Sequence, residues 1–256
     1  MTDTSHPDPL LALQSVSVCF GTARVVNQVS LQVGVRQIGA LVGPNGAGKT
    51  TILKTVAGLL KPSEGRISFA GTPIESLQVW EIVERGVVYV PEGMRVFQEM
   101  SVLENLEIGA YLDRRAIPER LEMIFHLLPE LREKKDVRAG ILSGGQQRMV
   151  TLARGLMSGA RLLLLDDPFQ ELSPRVFKRF SDTFRSLKEV GITLVIAGQH
   201  VRRILHMADV AYLIEDGRVS ISGEGRDLLH NPRLQHTLFG TVGDPPSVFH
   251  LPKTLF

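Results

Sequence analysis

GPNGAGKTT, Gly43–Thr51, decides how this chain reads. It fits G-x-x-x-x-G-K-[ST], the pattern of a phosphate-binding loop. Gly43, Gly46 and Gly48, with Pro44, Asn45 and Ala47 between them, let the backbone curl until several N–H groups face one anion. A helix opening near Lys49 adds its positive dipole end. Lys49 then reaches the β- and γ-phosphates of a nucleotide, the Thr50 hydroxyl can ligate Mg²⁺, and Thr51 can contact the α-phosphate. The plain alternative is a glycine-rich turn with an incidental lysine. The flanks argue against it, because a loop that cradles phosphate must leave a strand and open a helix. Gln37–Val42 before the loop is a short apolar strand. Lys49–Leu60 after it carries Ile52, Leu53, Val56, Leu59 and Leu60 at helical spacing.

Further outward, Leu13–Phe20, Arg24–Val33, Gly65–Ala70 and Val87–Val90 read as strands. Ser101–Ser158 turns helical. Ser101 and Glu104 form a capping box, and Pro118 suits the first turn of a following helix. Arg161–Leu165, Thr193–Ala197 and Val210–Ile214 return to strands with helices between them. That alternation implies an α/β fold around a parallel sheet. The helical block, about residues 95–160, is an insertion between strands. Residues 1–10 and 241–256 are expected to be a disordered N-terminus and a loosely attached tail flanking a domain over 11–240.

Hydrophobic residues are 43% and charged residues 22% of the chain, an ordinary globular mix. The net charge of +2 gives no electrostatic reason to bind nucleic acid. Cys19, the single cysteine, fits a reducing compartment. No apolar run approaches the roughly 18 residues that span a bilayer. Any work at a membrane would pass through a partner.

Two more motifs narrow the chemistry. LSGGQQR, Leu142–Arg148, sets Ser143, Gly144, Gly145 and Gln146 at the start of a helix, where backbone amides and a serine hydroxyl make an anion site. Read alone, it is also an ordinary serine-capped helix. RLLLLDDP, Arg161–Pro168, is an apolar strand ending in Asp166 and Asp167.

The three motifs, in this order, resemble the ABC ATPases, and the similarity runs from about Leu11 to Gly240. The resemblance implies a P-loop NTPase core with an N-terminal antiparallel β subdomain and an inserted α-helical subdomain. It implies ATP and Mg²⁺ as cofactors, with Asp166 and Thr50 at the metal. It also implies a head-to-tail pair of ATPase subunits, identical or not, in which LSGGQ of one caps the γ-phosphate held by the other. Phe20, before Gly21, matches the aromatic that stacks on adenine; its plain alternative is a core phenylalanine.

YVPEGMRVFQEMSVLENLEIGAY, Tyr89–Tyr111, is most similar to the branched-chain amino acid importer ATPases and their urea and amide relatives. Glu92 stands where most relatives carry the glutamine that contacts nucleotide and metal. That subfamily implies two permease subunits, a second ATPase subunit, a periplasmic binding protein, and a peripheral place on the cytoplasmic face of the inner membrane. Proteins of the same superfamily that act in repair or translation usually carry two cassettes or a long coiled-coil insert, and neither is visible here.

Four departures bear on hydrolysis. Asp167 replaces the usual water-polarising glutamate, Gln199 stands at the usual histidine position with His200 one step on, and Glu171 replaces a small residue. Glu92, in place of the glutamine, is the fourth; Met94 departs from the subfamily's arginine but does not bear on hydrolysis. Asp167, Glu92, Gln199 and Glu171 together keep open a second reading, a partly degenerate subunit that binds ATP, hydrolyses it slowly and regulates a second ATPase.

Overall fold

A computed structural model describes residues 8–93, 95–170 and 172–239. Met94, Glu171, Gly240 and the C-terminal segment lie outside the described residues.

The chain opens with two long strands, β1 (Leu11–Phe20) and β2 (Ala23–Val33), paired antiparallel through a turn at Gly21. After β3 (Ile38–Val42) comes the glycine loop and α1 (Lys49–Val56). The sequence periodicity carries this helix to Leu60. It stops at Val56 because Gly58 turns left-handed at φ 75°, and the Leu59 N–H folds back onto the Lys54 carbonyl. β4 (Glu64–Phe69) and β5 (Thr72–Pro73) complete a four-stranded antiparallel sheet in the order β2-β1-β4-β5. Leu10, which sequence reading assigns to the N-terminal extension, is buried, and its carbonyl accepts the Ala70 N–H. Packing thus begins at Leu10.

α2 (Val79–Glu84) leads into β6 (Val87–Val90). From there to β7 (Leu162–Asp166) the chain is helical: α3 (Val102–Gly109), α4 (Ile117–Leu127), α5 (Pro129–Glu133) and α6 (Gly144–Met157), with short 3₁₀ turns between them. Ser101 caps α3 as its sequence demands, its Oγ accepting the Glu104 N–H while the Glu104 carboxylate accepts the Ser101 N–H. Then come α7 (Pro174–Glu189), β8 (Thr193–Gly198), α8 (Val201–Leu205), β9 (Val210–Glu215), β10 (Arg218–Gly223), α9 (Gly225–Leu229) and α10 (Pro232–Phe239).

The second sheet has six strands in the order β10-β9-β3-β8-β7-β6, parallel except for the edge strand β10. Both faces are covered, which is why its strands read as unbroken apolar runs. Leu163 and Leu165 pack with the helices, including Phe180 and Phe184 of α7. Leu162 and Leu164, one residue out of phase, pack with α1 and the antiparallel sheet.

Candidate functional site

Register places the site. In the parallel ladder Val42 pairs with Gly198, and Asp166 pairs with Ala197. The carboxyl ends of three neighbouring strands, β3, β8 and β7, therefore stop at one level. The residue leaving each strand there is Gly43, Gln199 or Asp167. An open parallel sheet binds ligands at this edge, where chain direction and helix N-termini converge.

The cavity at that edge measures about 540 Å³. Asn45, Gly46, Ala47, Gly48, Lys49, Thr50 and Thr51 form one wall, and Glu92, Asp166, Asp167 and Gln199 face it. The loop lies hard against the sheet. Gly43 has φ 152°, and a Cβ there would overlap the Ile214 carbonyl. Lys49 is nearly buried, and its ammonium donates to the Gly43 and Pro44 carbonyls at 2.8 and 2.7 Å. Burial lowers its pKa, against the pull of Asp167 and Asp166.

Asp166 is held from two sides. Thr50 Oγ1 donates to one carboxylate oxygen and the Tyr89 hydroxyl to the other, each at 2.9 Å. Burial raises the Tyr89 pKa, with Asp166 and Glu92 adding to it, so the phenol stays a neutral donor.

Asp167 is different. Its φ is 42°, its N–H donates to the Ala197 carbonyl at 2.8 Å, and its Oδ1 is buried without a hydrogen-bond partner. A left-handed aspartate costs backbone energy and is informative where it occurs. Here it sets Asp167 in the lining of the cavity. Burial raises its pKa; His200 and Lys49 oppose the rise, while Glu92 and Asp166 add to it.

These residues suit a magnesium nucleotide. Among the described residues no three His, Cys, Asp or Glu side chains converge to cage a metal. Thr50 and Asp166 instead offer two oxygens, which fits an ion that takes its remaining ligands from phosphate and water. Asp167 lines the same cavity, with its Oδ1 buried away from solvent.

The other motif residues fall in distinct places. Ser143 caps α6 and exchanges hydrogen bonds with Gln146, completing a second capping box. Ser143 and Gly144 are exposed. Ser143, Gly145 and Gln146 line a separate depression with Arg175 and Lys178 of α7, sharing no residue with the cavity at the glycine loop. Phe20 ends β1 with 51% of its surface exposed, which removes the core alternative for it. Gln199 is on the cavity wall, whereas His200 is half-buried at the start of α8 and acts on Asp167 by its charge. Sequence reasoning missed Tyr89, Val25, Gln170 and Gly198 as parts of this region. Tyr89 left one signal, a single hydroxyl in an otherwise apolar buried strand, which must find a partner.

The family model described as ABC transporter matches residues 26–170. The high-affinity branched-chain amino acid transport ATP-binding protein BraG of Pseudomonas aeruginosa is 34% identical, the match covering 90% of this chain and 100% of that protein. The lipopolysaccharide export system ATP-binding protein LptB of Acidithiobacillus ferridurans is 33% identical over 90% of this chain and 97% of its own. A solved ATP-binding cassette of an ABC transporter, in its ADP conformation, superposes with a TM-score of 0.82 at 28% identity, covering 92% of this chain and all of the other. A cavity lined by a glycine loop and two aspartates at a strand end, with a serine-capped helix lining a separate depression, is thus accompanied by likeness over nearly the whole length, and the chain belongs to the ABC transporter family as an ATP-binding, ATP-hydrolysing subunit.

Proposed function

We propose that this subunit powers import of branched-chain amino acids or related small polar solutes. The observation that carries the reading is the end-to-end likeness to BraG, joined to Glu92 in the segment that contacts nucleotide. The nearly equal likeness to LptB favours a second reading, lipid export.

ATP is held by the loop amides, Lys49 and Thr51, with adenine against Phe20. Thr50 and Asp166 would hold Mg²⁺, which offsets phosphate charge when bound. Asp167, with Gln199 or His200 beside it, orients a water towards the γ-phosphorus and accepts its proton as the bond to the β-phosphate oxygen breaks. The exposed Ser143 site completes the cavity of a second subunit in a head-to-tail pair. Asp167 is one methylene shorter than glutamate, so the water sits farther from its base and turnover is slow.

A membrane permease supplies the transport path. An apolar groove of about 590 Å³, lined by Leu59, Val79, Phe97, Ile108 and Tyr111, suits an apolar helix of that partner. All five side chains are exposed large apolar or aromatic groups.

The test is deletion of the gene, followed by radiolabelled leucine uptake and lipopolysaccharide delivery to the cell surface. Lost uptake with normal delivery supports the import reading. Normal uptake with arrested delivery overturns it in favour of export.

A further inference from the structure

Tyr89 touches two regions at once. The residue lines the apolar groove, together with Val88, Val90 and Pro91 of the same segment. Its hydroxyl crosses to the nucleotide side and donates to Asp166 Oδ2 at 2.9 Å. Asp166 is 4% exposed, and Thr50 engages its other oxygen, Oδ1.

A terminal carboxylate turns easily about its last bond unless both oxygens are held. Here the two donors come from different elements, α1 and β6, and grip opposite oxygens. The Thr50 hydroxyl leaves that contact whenever it turns to a metal. The Tyr89 bond does not depend on metal, because its oxygen faces away from Thr50 across the carboxylate. We propose that Tyr89 is a positioning residue for magnesium: its hydroxyl fixes the Asp166 carboxylate so that Oδ1 is presented to the ion when Thr50 turns from Asp166 to the ion. The inference rests on the nucleotide-site reading of the cavity.

The experiment uses the full chain and Tyr89→Phe, which keeps the ring and removes only the hydroxyl. A fluorescent ATP analogue is titrated into both proteins in EDTA, and then at fixed nucleotide across a Mg²⁺ series. The expected result is unchanged affinity in EDTA, a slightly lowered melting temperature, and a half-saturating Mg²⁺ concentration raised about five- to tenfold, from the loss of one hydrogen bond to a charged group. Identical Mg²⁺ curves would overturn the proposal. So would an affinity loss of the same size in EDTA, which would mark Tyr89 as general scaffolding. Binding by the wild-type chain in EDTA checks the cavity itself, so failure of the site and failure of the Tyr89 role are told apart.

Discussion

Thr50 and Asp166 stand 116 residues apart in the chain, and the Thr50 hydroxyl donates to Asp166 Oδ1 at 2.9 Å. The bond joins the first turn of the helix after the glycine loop to the last residue of β7. It ties the helix after the glycine loop to the strand that leads into Asp167.

Asp167 is expected to limit hydrolysis. Restoring the missing methylene with Asp167→Glu should raise phosphate release by the assembled transporter by about tenfold, with ATP affinity nearly unchanged. Asp167→Asn lowers the rate by roughly 10²-fold or more, since the amide cannot accept the proton. Steady-state phosphate release at saturating MgATP from the three complexes checks this. A slower glutamate variant would show a site adapted to aspartate.

The same residue gives a pH signature in the nucleotide-free chain. Burial holds the Asp167 carboxyl above the ordinary aspartate value. The folded chain therefore binds this proton more readily than the unfolded chain, and stability falls as pH rises from the ordinary value through the raised one. Asp167→Asn carries no such charge. It should melt above the wild type at neutral pH, with the gap closing on acidification. Calorimetry across the pH range tests this, and a constant gap would contradict it.

Gly43 and Gly46 separate backbone freedom from space. At Gly43 a Cβ would overlap the Ile214 carbonyl, whereas at Gly46, with φ 77°, it would meet nothing within 4 Å. Gly46→Ala should cost about 1 kcal/mol, the strain of a left-handed alanine. Gly43→Ala should cost more than about 3 kcal/mol, because backbone must move. Denaturant titration distinguishes them, and equal losses would mean that the loop yields.

Two serines make the same capping box, Ser101 on α3 and Ser143 on α6. Alanine at either should lower stability by about 1 kcal/mol. Only Ser143→Ala should also weaken ATP-driven pairing of subunits, measured by sedimentation with a slowly hydrolysed analogue. An equal effect of both on pairing would reduce Ser143 to a helix cap.

Phe20 is half exposed, so Phe20→Ala should leave the melting temperature almost unchanged. ATP should bind about tenfold more weakly, the usual loss when a base loses its aromatic platform. Tripolyphosphate affinity should not move. Competition titrations with both ligands check the division, and equal losses would place Phe20 outside base recognition.

The sequence by itself determined the pieces whose physics is local. The glycine loop needs only permissive backbone and a following helix, each capping box closes within four residues, and the apolar strand runs declare a sheet covered on both faces. Only the tertiary structure decided what depends on register. It brought Gly43, Gln199 and Asp167 to one edge because Val42 pairs with Gly198 and Asp166 with Ala197, pairings between segments that are not neighbours along the chain. It put Phe20 at the surface and gave the Tyr89 hydroxyl its carboxylate. It also set Ser143 in a depression of its own, away from the cavity in the same chain. Local patterns cannot carry these outcomes, because a side chain's partner across a sheet is fixed by strand order and pairing, which the neighbouring residues along the chain do not encode.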